Sequence, residues 1–274
     1  MLTLGQRDEF RRFGILRVPS AIPSGDVEAM CDAIWERLDH RYHIRRNDSE
    51  SWKGQRINGT KDRPKSMTFE QVVNRTLCAI LDELLGSAAW ERAEHWGSLL
   101  VAFPESRDRW DVPHQGWHFD APVLRSLPGL YGLRLFTCLA KLEHGGGATV
   151  AVAGSHRLAQ DLAGVAGFEK IRSAEIRAAL IQRHSWMKEL CSFDATIDRV
   201  DHFMKTSTCV GDVELRVVEL TGDPGDVILM HPVTMHAGSL NCSSVPRLVL
   251  STTVYKRGVD WNALYAPERR VAVQ

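Results

Sequence analysis

The 274-residue chain lacks an excess of charge of either sign: Lys and Arg number 34, Asp and Glu 34. No global positive field is there to attract nucleic acid or an anionic membrane, and no interleaving of basic and aromatic residues argues for nucleic acid. The chain also lacks any CxxC pair. Its six cysteines, Cys31, Cys78, Cys138, Cys191, Cys209 and Cys242, are scattered, and most sit in apolar runs. This pattern predicts reduced thiols in a cytoplasmic protein instead of a disulfide framework. No apolar run approaches the ~20 residues of a membrane span. The polar start, Met1 to Glu9, predicts no signal peptide. No internal repeat and no low-complexity tract is visible.

What is present is ordinary globular composition, 44% hydrophobic and 25% charged. The length allows one large domain or two small ones, and single β-rich domains often reach this size; the reading taken is one domain over residues 1–274, with a core large enough to need no staples. Thr3 and Gln6 form a capping-box pattern, and Gly14 a helix stop. Ile15 to Val18 reads as a strand, and a helix follows from Ser24 with Val27, Cys31, Ile34 and Leu38 on one face. Residues 41–66 read as a polar surface loop long enough to act as a lid. Thr68 and Gln71 repeat the capping box ahead of a helix closed by Gly86.

After Trp96 short strands take over, at 98–103, 131–142, 148–152, 213–220, 227–230 and 247–255, separated by Gly- and Pro-containing turns such as Asp223-Pro224-Gly225-Asp226. Residues 173–190 have helical spacing, so a helical insertion is expected around 157–200. The pattern is mainly β, a sandwich or barrel with N-terminal helices.

Chemistry concentrates in Trp117-His118-Phe119-Asp120. On an extended chain His118 and Asp120 share a face while Phe119 points away. His236 is the candidate third ligand. Two imidazoles and a carboxylate suit Fe(II) with open positions for substrate and oxygen. His231 competes with His236; their odd separation would put them on opposite faces of a continuous strand, a regularity that Pro232 breaks, and the choice of His236 rests on Arg247, eleven residues after it. A hairpin-like connection of that length would bring Arg247 near the end of the His236 strand. A buried arginine there needs an anionic partner, which a carboxylate supplies in bidentate fashion. His114 and Arg125 read as exposed, His156 as structural, Trp117 as packing, and Trp110 as packing or pocket rim.

These stretches, taken in order, resemble the phytanoyl-CoA dioxygenase family of Fe(II)/2-oxoglutarate oxygenases. Phe10 to Pro19 is similar to its opening helix and strand. Gly147 to His156 resembles its N-G-x-L-x-V-x-P-G-S-H stretch. Gly225 to His231 is similar to its G-D-x-x-x-x-H strand, and His236 to Asn241 with Arg247 and Tyr255 to its H-x-x-x-x-N…R…Y close. The resemblance implies a double-stranded β-helix, a cupin-like jelly roll. It implies iron on His118, Asp120 and His236, the distal carboxylate of 2-oxoglutarate on Arg247, and Phe136 against that cosubstrate.

Three positions depart from the pattern. Ala153 replaces Pro, Gly146 replaces Asn, and Gly238 stands where the family often has a serine that helps hold the carboxylate; Ser239 is the candidate substitute. The implied reaction is hydroxylation of a small molecule with O2 by a monomer or homodimer, without nucleic acid or membrane. Asp120 favours hydroxylation over halogenation, since halogenating relatives replace the carboxylate by a small residue. Alternatives left open are a metal-holding protein without turnover, and desaturation or epimerisation at the same centre.

Overall fold

A computed structural model describes residues 1–55, 57, 67–93, 95–105, 109–127, 129–164, 169–260 and 264. Helix α1 (Leu4–Phe13) starts at the reciprocal Thr3/Gln6 box and ends at Gly14, whose φ of 71° a side chain rarely adopts. A Cβ there would also lie 2.5 Å from His156 Nδ1. Helix α2 (Ser24–Tyr42) buries Val27, Cys31, Ile34 and Leu38 as their spacing predicts. The next helix differs from expectation. Residues 67–72 form a 3-10 turn, and α3 (Arg75–Leu85) begins only at Asn74. The Asn74 side chain accepts the Leu77 amide at 2.9 Å and donates to the Ala21 carbonyl at 2.6 Å, so a tertiary bond fixes the start.

Strands β1 (Ile15–Val18), β2 (Ser98–Ala102), β4 (Gly132–Cys138), β9 (Val227–Met230) and β11 (Arg247–Tyr255) form an antiparallel sheet in the order β1-β9-β4-β11-β2. A second sheet has the order β10-β5-β8-β7, from β5 (Thr149–Ala153), β7 (Thr208–Val210), β8 (Val213–Glu219) and β10 (His236–Gly238). A short pair joins β3 (Val123–Leu124) to β6 (Lys170–Ile171). Together the two main sheets make the jelly roll.

Alternation along the strands sorts the core into three layers. Leu133, Leu135, Leu229, Leu248 and Leu250 face α1–α3 on one outer side. Phe136, Cys138, Ala151, Ile228, Met230 and Val249 fill the space between the sheets. Val150, Val152, Leu215 and Val217 face the helices of the insertion on the other outer side. Each Val, Leu, Ile, Phe or Met side chain among them contributes about 1.5–3 kcal/mol when fully buried. The insertion is several pieces: α4 (Ser155–Asp161), α5 (Ser173–Arg183) and α6 (Ser185–Leu190), then a π turn at Asp201–Lys205. The expected single helix over 173–190 breaks at His184, whose backbone is extended (φ −131°, ψ 116°).

Turns at the ends are fixed by buried polar groups. Asp226 is 1% exposed. It accepts from the Ser20 amide (2.8 Å), the Asp223 amide (2.9 Å) and Arg17 Nε (2.6 Å), which ties β1 to the turn before β9. In the expected 41–66 loop, Ile44 is buried and Trp52 stacks on Phe103 at 6.4 Å, against the α1–α3 layer. Residues 56 and 58–66 of that loop lie outside the described residues.

Candidate active site

His118 and His236 are register partners in an antiparallel bridge. Each amide donates to the other's carbonyl at 2.9 Å. The 117–120 stretch is therefore an isolated bridge beside β10, not a full strand. Partners in such a pair carry their side chains on one face, and the two rings lie 4.3 Å apart between centroids. Asp120 returns to the same face, with Oδ1 3.8 Å from His118 Nε2 and 3.6 Å from His236 Nε2. Phe119 points into the outer core layer, as expected.

Ligand atoms of His118, Asp120 and His236 lie within 4.8 Å of one another. His118 Nδ1 sits 2.8 Å from the Gly116 carbonyl and His236 Nδ1 3.0 Å from the Thr234 carbonyl. A carbonyl only accepts, so both Nδ1 atoms carry the proton and both Nε2 lone pairs face Asp120. Burial and the neighbouring His236 push the His118 pKa down. Burial alone would raise the Asp120 carboxyl, but His236, Arg134 and His118 together hold it well below the usual carboxylate range. Converging lone pairs and an anion that keeps its charge form a donor set that fits a divalent cation.

Sequence reasoning missed Arg134. Its Nε lies 3.1 Å from Asp120 Oδ2, and Nη1 donates to Thr253 Oγ1 at 2.9 Å. Arg134 and Thr253 face each other in the β4–β11 ladder. No spacing in the sequence links position 134 to position 120.

The expected hairpin between His236 and Arg247 is not what forms. β10 and β11 lie in different sheets. Asn241, 1% exposed, fixes the connection by donating to the Ala102 and Val245 carbonyls at 2.9 and 2.8 Å. Ala102 is in turn the register partner of Arg247. Arg247 Nη1 donates to the Gly147 carbonyl, while Nε is sealed from solvent without a hydrogen-bond partner. Burial lowers its pKa to about 10. Among the described residues no carboxylate pairs with it.

Arg247, Phe136, Thr149 and Val249 line one narrow cavity between the sheets. Ser239 is not among the residues lining that cavity, and its hydroxyl donates to the Ala148 carbonyl at 2.7 Å.

The remaining residues singled out by sequence lie elsewhere. His231 is 4% exposed and packs on His156 at 5.0 Å. His114 packs on Phe193, Trp110 is buried against His144, and Arg125 is exposed. Trp117 is buried and donates to the Pro113 carbonyl at 2.8 Å. Ser155 donates to the Val152 carbonyl (2.6 Å) and accepts the Met235 amide (2.9 Å), which holds the residue next to His236.

Among the described residues no helix is long and apolar enough to cross a membrane. A search of curated protein sequences gives no significant match. Solved structures do match. One is the non-heme alpha-ketoglutarate-dependent epimerase SnoN from nogalamycin biosynthesis, at 19% identity and TM-score 0.52, covering 92% of this chain and 82% of SnoN. HygX from Streptomyces hygroscopicus with iron bound matches at 17% identity and TM-score 0.53, covering 94% and 88%. EctD from S. alaskensis with 2-oxoglutarate and 5-hydroxyectoine matches at 17% identity and TM-score 0.52, covering 93% and 76%. At these identities the likeness is one of fold, here the jelly roll. A family profile matches residues 10–249, from α1 to the strand carrying Arg247. The chain belongs to the phytanoyl-CoA dioxygenase (PhyH) family.

Proposed function

We propose that the chain is a non-haem Fe(II)/2-oxoglutarate-dependent oxygenase that hydroxylates a small molecule, with His118, Asp120 and His236 as the metal ligands. The observation that carries the reading is the Arg247 guanidinium, buried with no counter-ion among the described residues, in the barrel that also holds the His/Asp/His cluster. A buried charge of this kind is costly unless an anion meets it. A protein that only holds a metal has no use for it.

Iron and 2-oxoglutarate, when bound, supply the oxidation, with oxidative decarboxylation of the 2-oxo acid to succinate and carbon dioxide. The chain's residues do the rest. The two Nε2 atoms and Asp120 Oδ1 hold the metal, and Arg134 keeps Asp120 Oδ2 engaged. Arg247 fixes the far carboxylate, and Phe136 and Val249 wall the cavity against water. Asp120 occupies its coordination position with a carboxylate, which favours hydroxylation over halogenation. Residues 1–274 act as one oxygenase domain. Balanced charge supports a small-molecule substrate over nucleic acid, and six scattered cysteines with no CxxC pair support the cytoplasm, as monomer or homodimer.

The test is a screen of small molecules with Fe(II), 2-oxoglutarate and O2, read as succinate formed and product mass. Hydroxylation adds one oxygen to the substrate. Loss of two hydrogens indicates desaturation, and an isomer of unchanged mass indicates epimerisation; either result refutes the hydroxylase assignment. Binding without succinate for every compound refutes turnover. His118→Ala and Asp120→Ala should each abolish Fe(II) binding and succinate release, and full activity in either removes the proposed centre. Arg247→Ala should raise the 2-oxoglutarate requirement by at least about tenfold, the loss of a charge-assisted pair. An unchanged requirement refutes its role.

A further inference from the structure

Arg134 is a charged residue on the inner face of the larger sheet. Its register partners are Thr253 of β11 and Met230 of β9, and Met230 belongs to the layer between the sheets. Residues paired across a ladder share a face, so the guanidinium projects into the barrel. There it meets the His/Asp/His cluster. Nε faces Asp120 Oδ2 at 3.1 Å, and Nη1 donates to Thr253 Oγ1 at 2.9 Å. Nη2 has no hydrogen-bond partner among the described residues and, unlike Nε, is not sealed from solvent. The His118 side chain is 50% exposed and that of Arg134 25%, whereas that of His236 is 6% exposed. His118 and Arg134 are thus the open side of the cluster, where a substrate would reach the metal.

Charge in this space does not balance once the site is filled. Iron brings two positive charges, and Arg247 and Arg134 bring one each. Asp120 brings one negative charge and 2-oxoglutarate two. Both imidazoles are neutral, with their Nδ1 protons on the Gly116 and Thr234 carbonyls. One positive charge is left over, and a guanidinium does not shed its proton. Among the described residues Asp120 is the carboxylate that pairs with Arg134, and its charge is already set against the metal. A positive charge in excess in a partly enclosed space is costly unless an anion meets it. Holding Asp120 in place accounts for Nε, and glutamine would donate to that oxygen without adding a charge. The added charge, and the open Nη2, call for a second acceptor. A carboxylate matches both the single charge and the planar fork of the guanidinium. A phosphate monoester carries closer to two charges at neutral pH.

We propose that the substrate is a small organic acid with one anionic group, and that Arg134 is a substrate-binding residue whose Nη2 donates to its carboxylate at the open side of the cluster. The proposal rests on the Fe(II)/2-oxoglutarate reading of the site.

The test is ligand-observed NMR on the Mn(II)-loaded protein saturated with 2-oxoglutarate, with the Zn(II)-loaded protein as diamagnetic reference. Mn(II) broadens the lines of a ligand bound close to it. The probes are acetate, hexanoate, benzoate and indole-3-acetate, each beside its primary amide. At least one acid should bind about tenfold or more tightly than its amide, as expected for a charge-assisted pair, and its lines should broaden. In Arg134→Gln, loaded at saturating Mn(II), that preference should vanish while 2-oxoglutarate still binds. Arg134→Lys should keep part of it, because the charge remains.

No preference for the acid in any pair overturns the assignment. Acid binding that persists in Arg134→Gln overturns it too, because the acid then sits on the ion alone. An Arg134→Gln protein that loses 2-oxoglutarate to the same degree as the acid assigns the guanidinium to the cosubstrate and does the same. Should Arg134→Gln not take up Mn(II), Arg134→Lys is read against the wild type: a reduced acid preference is expected, and an undiminished one overturns the role. A wild-type protein that binds no 2-oxoglutarate overturns the reading of the whole site. One that binds it and shows no acid preference overturns only the role of Arg134, so the two failures are distinguishable.

Discussion

The two oxygens of Asp120 face different partners. Oδ1 faces both Nε2 atoms, while Oδ2 lies 3.1 Å from Arg134 Nε. A guanidinium on the outer oxygen fixes the carboxylate's rotation and lowers the cost of an anion that is four-fifths enclosed. Arg134→Leu should therefore weaken metal affinity by about 10–100-fold, with Arg134→Lys intermediate because a point charge lacks the planar fork. Titration with Mn(II) followed by electron paramagnetic resonance checks this, and equal affinity in all three proteins counts against it. His118, Asp120 and Arg247 were legible in the sequence because their chemistry is carried by short spacings and rare residue types. Arg134 was not, since it comes from β4 of one sheet while Asp120 comes from the stretch bridged to β10 of the other, and its guanidinium is held by Thr253, 119 residues on in the chain.

At the scale of elements, the insertion and the loop before His118 are held by one side chain. Arg199 is 2% exposed and donates to the carbonyls of Val112 (2.8 Å), Pro113 (3.0 Å), Leu190 (2.7 Å) and Ser192 (3.0 Å). It links the end of α6 to the loop that leads into the 117–120 stretch. Arg199→Met keeps much of the stem but removes four hydrogen bonds, taking this donor from the Val112, Leu190 and Ser192 carbonyls while Pro113 keeps Trp117. It should cost about 3 kcal/mol of stability, read as a lower urea midpoint, and it should loosen metal binding through the displaced loop. A midpoint within error of wild type would show the carbonyls satisfied by other means. The helix and strand pattern was read well where apolar periodicity is strong, as in α2 and β11. It failed at two ends: α3 is capped at Asn74, whose side chain also makes a tertiary bond to Ala21, and α5 ends before His184, whose backbone is extended although the apolar spacing continues. The hairpin expected between His236 and Arg247 failed for a similar reason, because each strand finds its partners in a different sheet.

For the whole molecule, two buried histidines join the N-terminal helix to the barrel. His156 packs under Gly14 and against His231, and burial pushes its pKa from 6.5 down to about 4, with His231 also pushed down by burial. Both are neutral in the folded protein. On unfolding they regain ordinary values, so between pH 6.5 and about 4 the unfolded chain binds more protons. Stability is then fully present above that window and falls as pH drops through it, by about 3 kcal/mol for His156 alone. Urea denaturation at pH 7 and pH 4.5 should show a larger loss for the wild type than for His156→Gln, and equal losses would remove the histidine from the account. The cross-ladder bridge of His118 and His236 has a further consequence. Sliding the 118 stretch by one residue would turn Trp117 or Phe119 toward the barrel and send the imidazole outward. A metal on this cluster thus binds only the correctly aligned edge of the smaller sheet. Its binding energy selects one strand register over its neighbours, so the ion would help to fold the barrel it works in.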